Sequence, residues 1–137
     1  MSDIALDLNP LLKVIARLGE GLERYQRDVG DTQIRDGLIQ RFEFTYELSH
    51  KMLKRYLEIS SASSAQFDGM AFADLIRTAN EQALLLSDWP RWKQFREMRG
   101  KTSHTFDETV ALEVVAEIPA FLVEARHLSN QLLAKLS

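Results

Sequence analysis

Arg99 and His104 are the two side chains whose types and spacing suit bond-breaking chemistry. A guanidinium is a permanent cation that grips a phosphate through a planar fork of N–H donors, and an imidazole exchanges a proton near neutral pH. Together they suit cleavage of a phosphodiester. The histidine moves a proton, and the arginine holds the phosphate and the charge that builds on it. Both lie in the stretch from Trp89 to Asp107. From Arg91 to Lys101 it carries the cations Arg91, Lys93, Arg96, Arg99 and Lys101 against the single anion Glu97, although the whole chain is formally −3.

At roughly 100° per residue, Trp89, Trp92, Phe95 and Met98 form one broad apolar helix face. Arg99 falls near its middle, a turn beyond Phe95. A guanidinium in that place must snorkel, pair or act, because burying it unpaired is expensive. Gly100 reads as a helix stop. On a continuous helix Arg99 and His104 would stand about 140° apart, too far round to share a face. A break at Gly100 would bring them together, and so would a second copy of the chain across a two-fold axis.

The surrounding chain reads as helices that position this stretch. Asn9-Pro10 opens the first, with Asn as cap and Pro at the first helical position. Leu11, Val14, Ile15, Leu18, Leu22 and Tyr25 form its stripe, and Gly30 closes it. Asp31 or Thr32 caps a second helix that runs to about Ile59. Ile34, Leu38, Phe42, Tyr46, Met52, Leu53, Tyr56 and Leu57 cover one arc of it. Phe44 and Leu48 fall outside that arc, which suits either a partner surface or a helix covered on both faces. Residues 60–65 are Ser- and Ala-rich and read as a loop. Phe72, Leu75, Ile76 and Ala79 mark a short third helix ending near Leu84. Ser87 and Asp88 cap the fourth, with Pro90 in its first turn. A fifth begins at Asp107, a good N-cap, and carries a continuous stripe from Val110 to Leu136, which Pro119 should kink. No strand-like alternation is present. The expected fold is all-α, an up-and-down antiparallel bundle of four long helices plus a short one, in a single domain over residues 1–137.

Composition excludes several classes of function. There is no cysteine, so disulfide and thiol chemistry are ruled out, and a reducing cytoplasm fits. The first seven residues have no basic and apolar leader pattern, and no apolar run reaches a membrane span. A pI near 5.6 argues against a general nucleic-acid coat protein and leaves room for a local RNA site. His50, His104 and His127 show no metal-ligand spacing, and there is no Gly-rich phosphate loop, so neither metal nor cofactor is expected. His50 and His127 read as surface residues. Trp89 and Trp92 read as core rather than as base-stacking groups.

The run Arg99-Gly-Lys-Thr-Ser-His104 has the Arg-x4-His form of the HEPN superfamily. Residues 41–57, Arg-Phe-Glu-Phe-Thr-Tyr-Glu-Leu-Ser-His-Lys-Met-Leu-Lys-Arg-Tyr-Leu, and the run Thr102-Ser-His-Thr-Phe-Asp107 resemble its HepT-type branch, also called the nucleotidyltransferase substrate-binding family. The likeness extends from about Leu11 to Leu133. It implies a helical homodimer that acts as a metal-independent endoribonuclease toxin, with Arg99 and His104 as its catalytic pair. The implied partner is a minimal nucleotidyltransferase antitoxin, often encoded adjacently. Relatives keep acidic residues in the second helix, which implies that Glu43 or Glu47 reaches the site. Arg96, Lys101 and Ser103 are then expected to position the RNA backbone. Two positions depart from the pattern. Gly100 stands where many relatives have a polar residue, often Asn. Phe106 stands where HepT-type relatives often have a tyrosine that accepts AMP. The rival reading is a non-catalytic subunit that presents substrate to a nucleotidyltransferase or docks it.

Overall fold

Each apolar stripe becomes a helix face turned inward in the computed structural model, which describes residues 6–136. The reading of residues 1–5 lies outside them. In order, the helices are α1 (Asn9–Arg27), α2 (Thr32–Ser60), α3 (Phe72–Glu81), α4 (Trp89–Lys101) and α5 (Glu108–Leu136), and two 3₁₀ turns cover Ser64–Phe67 and Thr102–His104. The described residues contain no strand, and none of their helices is long and apolar enough to cross a membrane. The all-α bundle of four long helices and a short one is the fold expected.

Local chemistry sets the helix ends. The Asp31 carboxylate accepts the N–H groups of Gln33 and Ile34 and so caps α2. Asp88 accepts from Trp89 N at 2.7 Å, and Asp107 accepts from Thr109 N at 2.9 Å, so both serve as the caps expected of them. Three boundaries differ from expectation. Asn9 is the first residue of α1 rather than its cap, and its own N–H donates to Asp7 Oδ1 at 3.0 Å. The apolar Leu8 stands at the cap position because its side chain is buried in the core. α1 ends at Arg27, before Gly30, where the Asp28 N–H turns back to the Tyr25 carbonyl. α3 ends at Glu81 rather than near Leu84. Ala83 takes φ 60°, and the N–H groups of Ala83 and Leu84 return to the carbonyls of Asn80 and Ala79. This is a glycine-type helix stop built on an alanine. The fully buried Leu84 side chain accounts for it by drawing the chain into the core.

Phe121 of α5 is the centre of the core. Its ring lies 5.2 Å from Phe42 of α2 and 5.2 Å from Phe95 of α4, both edge-on, and 6.0 Å from Trp92. These contacts fix α4 against α2 and α5. The Glu124 carboxylate is buried and accepts the N–H of Leu86 at 2.8 Å, which ties the segment between α3 and α4 to α5. Arg35 of α2, also buried, donates to Glu108 at 2.6 Å and pins the start of α5. The helical assignment of α5 runs unbroken through Pro119, which sits on the exposed side.

Candidate functional site

The two buried rings of α4 decide where Arg99 goes. Trp92 and Phe95 are fully buried, and Arg99 lies two turns beyond Trp92 on the same line of the helix. α4 therefore turns Arg99 toward α2. There Glu43 and Glu47, one turn apart, meet it. Arg99 Nε donates to Glu47 Oε1 at 3.0 Å, Nη2 also donates to that oxygen, and Nη1 lies 3.3 Å from Glu43 Oε2. The Thr102 hydroxyl stands 3.1 Å from Glu43 Oε2 and 2.7 Å from the Arg99 carbonyl, with one proton to give. Both acids named from the sequence thus reach Arg99. The pair is partly solvated, with Arg99 at 29% and Glu47 at 53% side-chain exposure. Its contribution is to aim the guanidinium more than to stabilise the fold.

Gly100 does not stop the helix. The backbone stays helical to Lys101 and then tightens into the 3₁₀ turn, and the Thr102 N–H bonds the Arg99 carbonyl. A glycine stop works through a left-handed φ, and Gly69 is the only glycine with positive φ among the described residues. Between Arg99 and His104 the chain runs through the end of α4 and the 3₁₀ turn. No hydrogen bond joins them within the described residues, and the exposed His104 ring lies against Phe106, centroid to centroid 6.2 Å. Phe106 is 88% exposed and has no oxygen.

The cationic stretch is largely neutralised by the fold. Arg91 pairs with Glu117 at 3.1 Å and lies over the Phe95 ring. Lys101 pairs with Glu113 at 2.7 Å, and that hydrogen bond raises its pKa. Among the described residues Arg96 and Lys93 enter no ion pair, and Arg96 instead lies over the ring of Phe72 at 5.4 Å. Ser103 is exposed. Of the residues expected to position RNA, Arg96 shares a cleft with Arg99, while Lys101 turns toward α5.

That cleft, about 430 Å³, is walled by Tyr46, Glu47 and His50 of α2, Phe72 of α3, and Arg96 and Arg99 of α4. His50 is therefore not the surface residue expected. It is half-buried, its ring 4.5 Å from that of Phe72. The signal was present in the spacing, because Glu43, Glu47, His50 and Lys54 recur along one face of α2. Burial pushes the Tyr46 phenol up to about 12, with Arg96 and Arg99 pulling the other way, so it remains a neutral hydroxyl in the cleft. No group of acids, histidines or cysteines among the described residues is arranged to hold a metal ion.

His50 gives the fold a sensitivity to acid. Burial lowers its pKa below the ordinary imidazole value, and the cations Lys54 and Arg96 lower it further. The folded chain then binds fewer protons at His50 than the unfolded chain does. The stability that His50 contributes is complete above roughly pH 6.5 and is lost as pH falls through the depressed folded value. The midpoint of urea unfolding is expected to drop between about pH 7 and pH 5, and His50→Gln should make that drop shallower. An equally steep drop in the variant would show that His50 is not its source.

The Phe44 side chain is half exposed and Leu48 partly buried, so α1 covers only part of this second face. With Val14, Glu47 and Lys51 they line a hollow of about 310 Å³.

Comparison with known proteins places this arrangement in a family. The family described as "Nucleotidyltransferase substrate binding protein like" matches residues 6–134. A protein of Haemophilus influenzae named "Probable ribonuclease HepT" is 42% identical over 104 residues, which cover 76% of this chain and 70% of that protein. A solved Haemophilus influenzae structure, described as the fold of a substrate binding domain of a nucleotidyltransferase, superposes with a TM-score of 0.85 at 34% identity, over 92% of this chain and 98% of that one. The chain belongs to the nucleotidyltransferase substrate binding protein-like family, in the HepT-type branch that its Arg-x4-His stretch resembles.

Proposed function

We propose that the protein is a HEPN-type toxin, a metal-independent endoribonuclease, and that a cognate nucleotidyltransferase neutralises it. The observation that supports this most directly is Arg99, aimed into an open cleft by Glu47 and Glu43 while His104 stands free on the following turn. In this reading the ribose 2′-oxygen attacks the adjacent phosphorus and its proton passes to His104. Arg99 holds the non-bridging oxygens as charge builds on them. The P–O5′ bond breaks and the 5′-oxygen takes up a proton, which leaves a 2′,3′-cyclic phosphate and a 5′-hydroxyl. The nucleophile is internal to the RNA, so no metal-bound water is required.

Arg99 and His104 share no hydrogen bond within one chain, and in this reading a homodimer lets one protomer's His104 complete its partner's cleft. The half-exposed Phe44 beside Leu48 and Glu47 offers an apolar surface for such pairing. Light scattering at micromolar concentration is expected to give twice the 15.7 kDa chain mass. A monomer mass would remove the second chain from the site.

A second reading has its own support. Arg99 is already occupied by two carboxylates, as in a docking subunit that uses the same face to present a substrate to, or simply hold, a nucleotidyltransferase. RNA cleavage by the purified protein separates the two readings, with 2′,3′-cyclic phosphate ends as the specific product of the first.

A further inference from the structure

The His104 side chain has little of its own to hold it. Among the described residues its imidazole makes no hydrogen bond, and the ring beside it is that of Phe106, itself exposed. Its place therefore follows from the backbone of residues 102–107 and from what anchors that backbone at each end. Both anchors come from α2. At the near end the Thr102 hydroxyl stands 3.1 Å from Glu43 Oε2. At the far end Glu108, the first residue of α5, accepts from Arg35 Nη1 at 2.6 Å. Arg35 and Glu43 lie roughly 12 Å apart along α2, about two turns, so one helix sets the span of the whole turn. Within it the Asp107 N–H returns to the His104 carbonyl at 3.1 Å, which carries the far anchor to His104 itself.

The far anchor is built to stay closed. The Arg35 side chain is 8% exposed, against 67% for Glu108. Its Nε has no hydrogen-bond partner, and Glu108 is the one hydrogen-bond acceptor its side chain has among the described residues. A buried guanidinium that let go of that carboxylate would be left unpaired, which is costly. The Lys101–Glu113 pair also ties α4 to α5, but both of its side chains are solvated, and such pairs hold little.

We propose that Arg35 is a positioning residue for His104: through Glu108 it fixes the turn from which the imidazole reaches the phosphodiester. It touches no RNA, and 69 residues of sequence separate it from the histidine it places. Misplacing a reacting group by an ångström can cost about a hundredfold in rate, so a remote tether can govern the chemical step. The grip on the substrate lies elsewhere, with Arg99 and its neighbouring cations. The effect should therefore fall on kcat and not on KM.

This inference rests on the reading of His104 as the proton-transfer group, and the experiment separates the two. Arg35→Met is the main variant. Methionine fills the buried space and leaves Glu108 in solvent, so no buried charge is stranded. Glu108→Gln is the conservative control, because it keeps an acceptor oxygen for Arg35. RNA cleavage kinetics and amide hydrogen exchange are measured on the full-length proteins. Arg35→Met is expected to lower kcat at least about tenfold with KM within about twofold of wild type. The Asp107 amide, which bonds the His104 carbonyl, should exchange at least about tenfold faster, while the amides of Phe42 and Phe121 exchange as in wild type. Glu108→Gln should stay close to wild type in both measurements. An unchanged kcat in Arg35→Met, or an Asp107 amide as protected as in wild type, overturns the proposal. Faster exchange at Phe42 and Phe121 as well would also overturn it, by showing a general loss of stability. Wild-type protein that cleaves no RNA overturns the ribonuclease reading instead, and exchange at Asp107 then decides by itself whether Arg35 holds the turn.

Discussion

Alanine at Arg99 or at His104 is expected to lower RNA cleavage by the purified protein at least about a hundredfold, while chelators leave the wild-type rate unchanged. Loss of one positioned charge-stabilising donor or one proton-transfer group has that order of effect. Neither change should unfold the chain. His104 is exposed, and the ion pairs of Arg99 are partly solvated, where such pairs contribute little to stability. Arg99→Lys is the discriminating variant. It keeps the charge but loses the planar fork, including the Nε donor that now bonds Glu47. If the fork matters, Arg99→Lys stays close to the alanine level. Near wild-type cleavage by His104→Ala would remove the proton-transfer role. Wild-type protein inert on every RNA, with or without a nucleotidyltransferase partner, would favour the docking subunit instead. Gel assays with end-labelled RNA, run beside thermal melts of each variant, measure both quantities.

The second large effect belongs to the core. Phe121→Ala is expected to destabilise the protein by about 3–5 kcal/mol, which lowers Tm by roughly 10–20 °C in a chain of this size. Phe121 is fully buried, and its ring contacts Phe42, Tyr46, Trp92 and Phe95 on two other helices. No single neighbour can collapse into the space it leaves, so most of the cavity penalty persists. The same contacts seat α4, so the variant should also loosen the cleft, and fluorescence from the buried Trp92 should shift toward the red. A loss below about 1 kcal/mol in calorimetry would mean that the aromatic cluster is not the support of α4.

These two tests reach opposite kinds of residue, and the division follows what local sequence can specify. The apolar stripes of α1, α2, α4 and α5, and the aspartates that cap α2, α4 and α5, were legible because periodicity and capping act within a turn or two of chain. The place of Arg99 on the Trp92–Phe95 face was legible for the same reason, as was the choice it faces between snorkelling, pairing and acting. Which partner it takes was not written locally. Glu47 is 52 residues away, and only the packing of Trp92 and Phe95 against Tyr46 and Phe121 brings α4 to the face of α2 that carries it. The same packing carries His50 into the cleft and leaves Arg91 and Lys101 beside acids of α5 that sequence proximity could not reveal. Gly100 misled because its composition suggests a stop, whereas its neighbours hold it at helical angles. The chain by itself determined five helices and a cation that must snorkel, pair or act. The tertiary structure decided that two carboxylates pair it and that a second histidine, His50, lines the same cleft. Side-chain contacts between helices depend on relative placement, which is set by the burial of the whole core and not by any one segment.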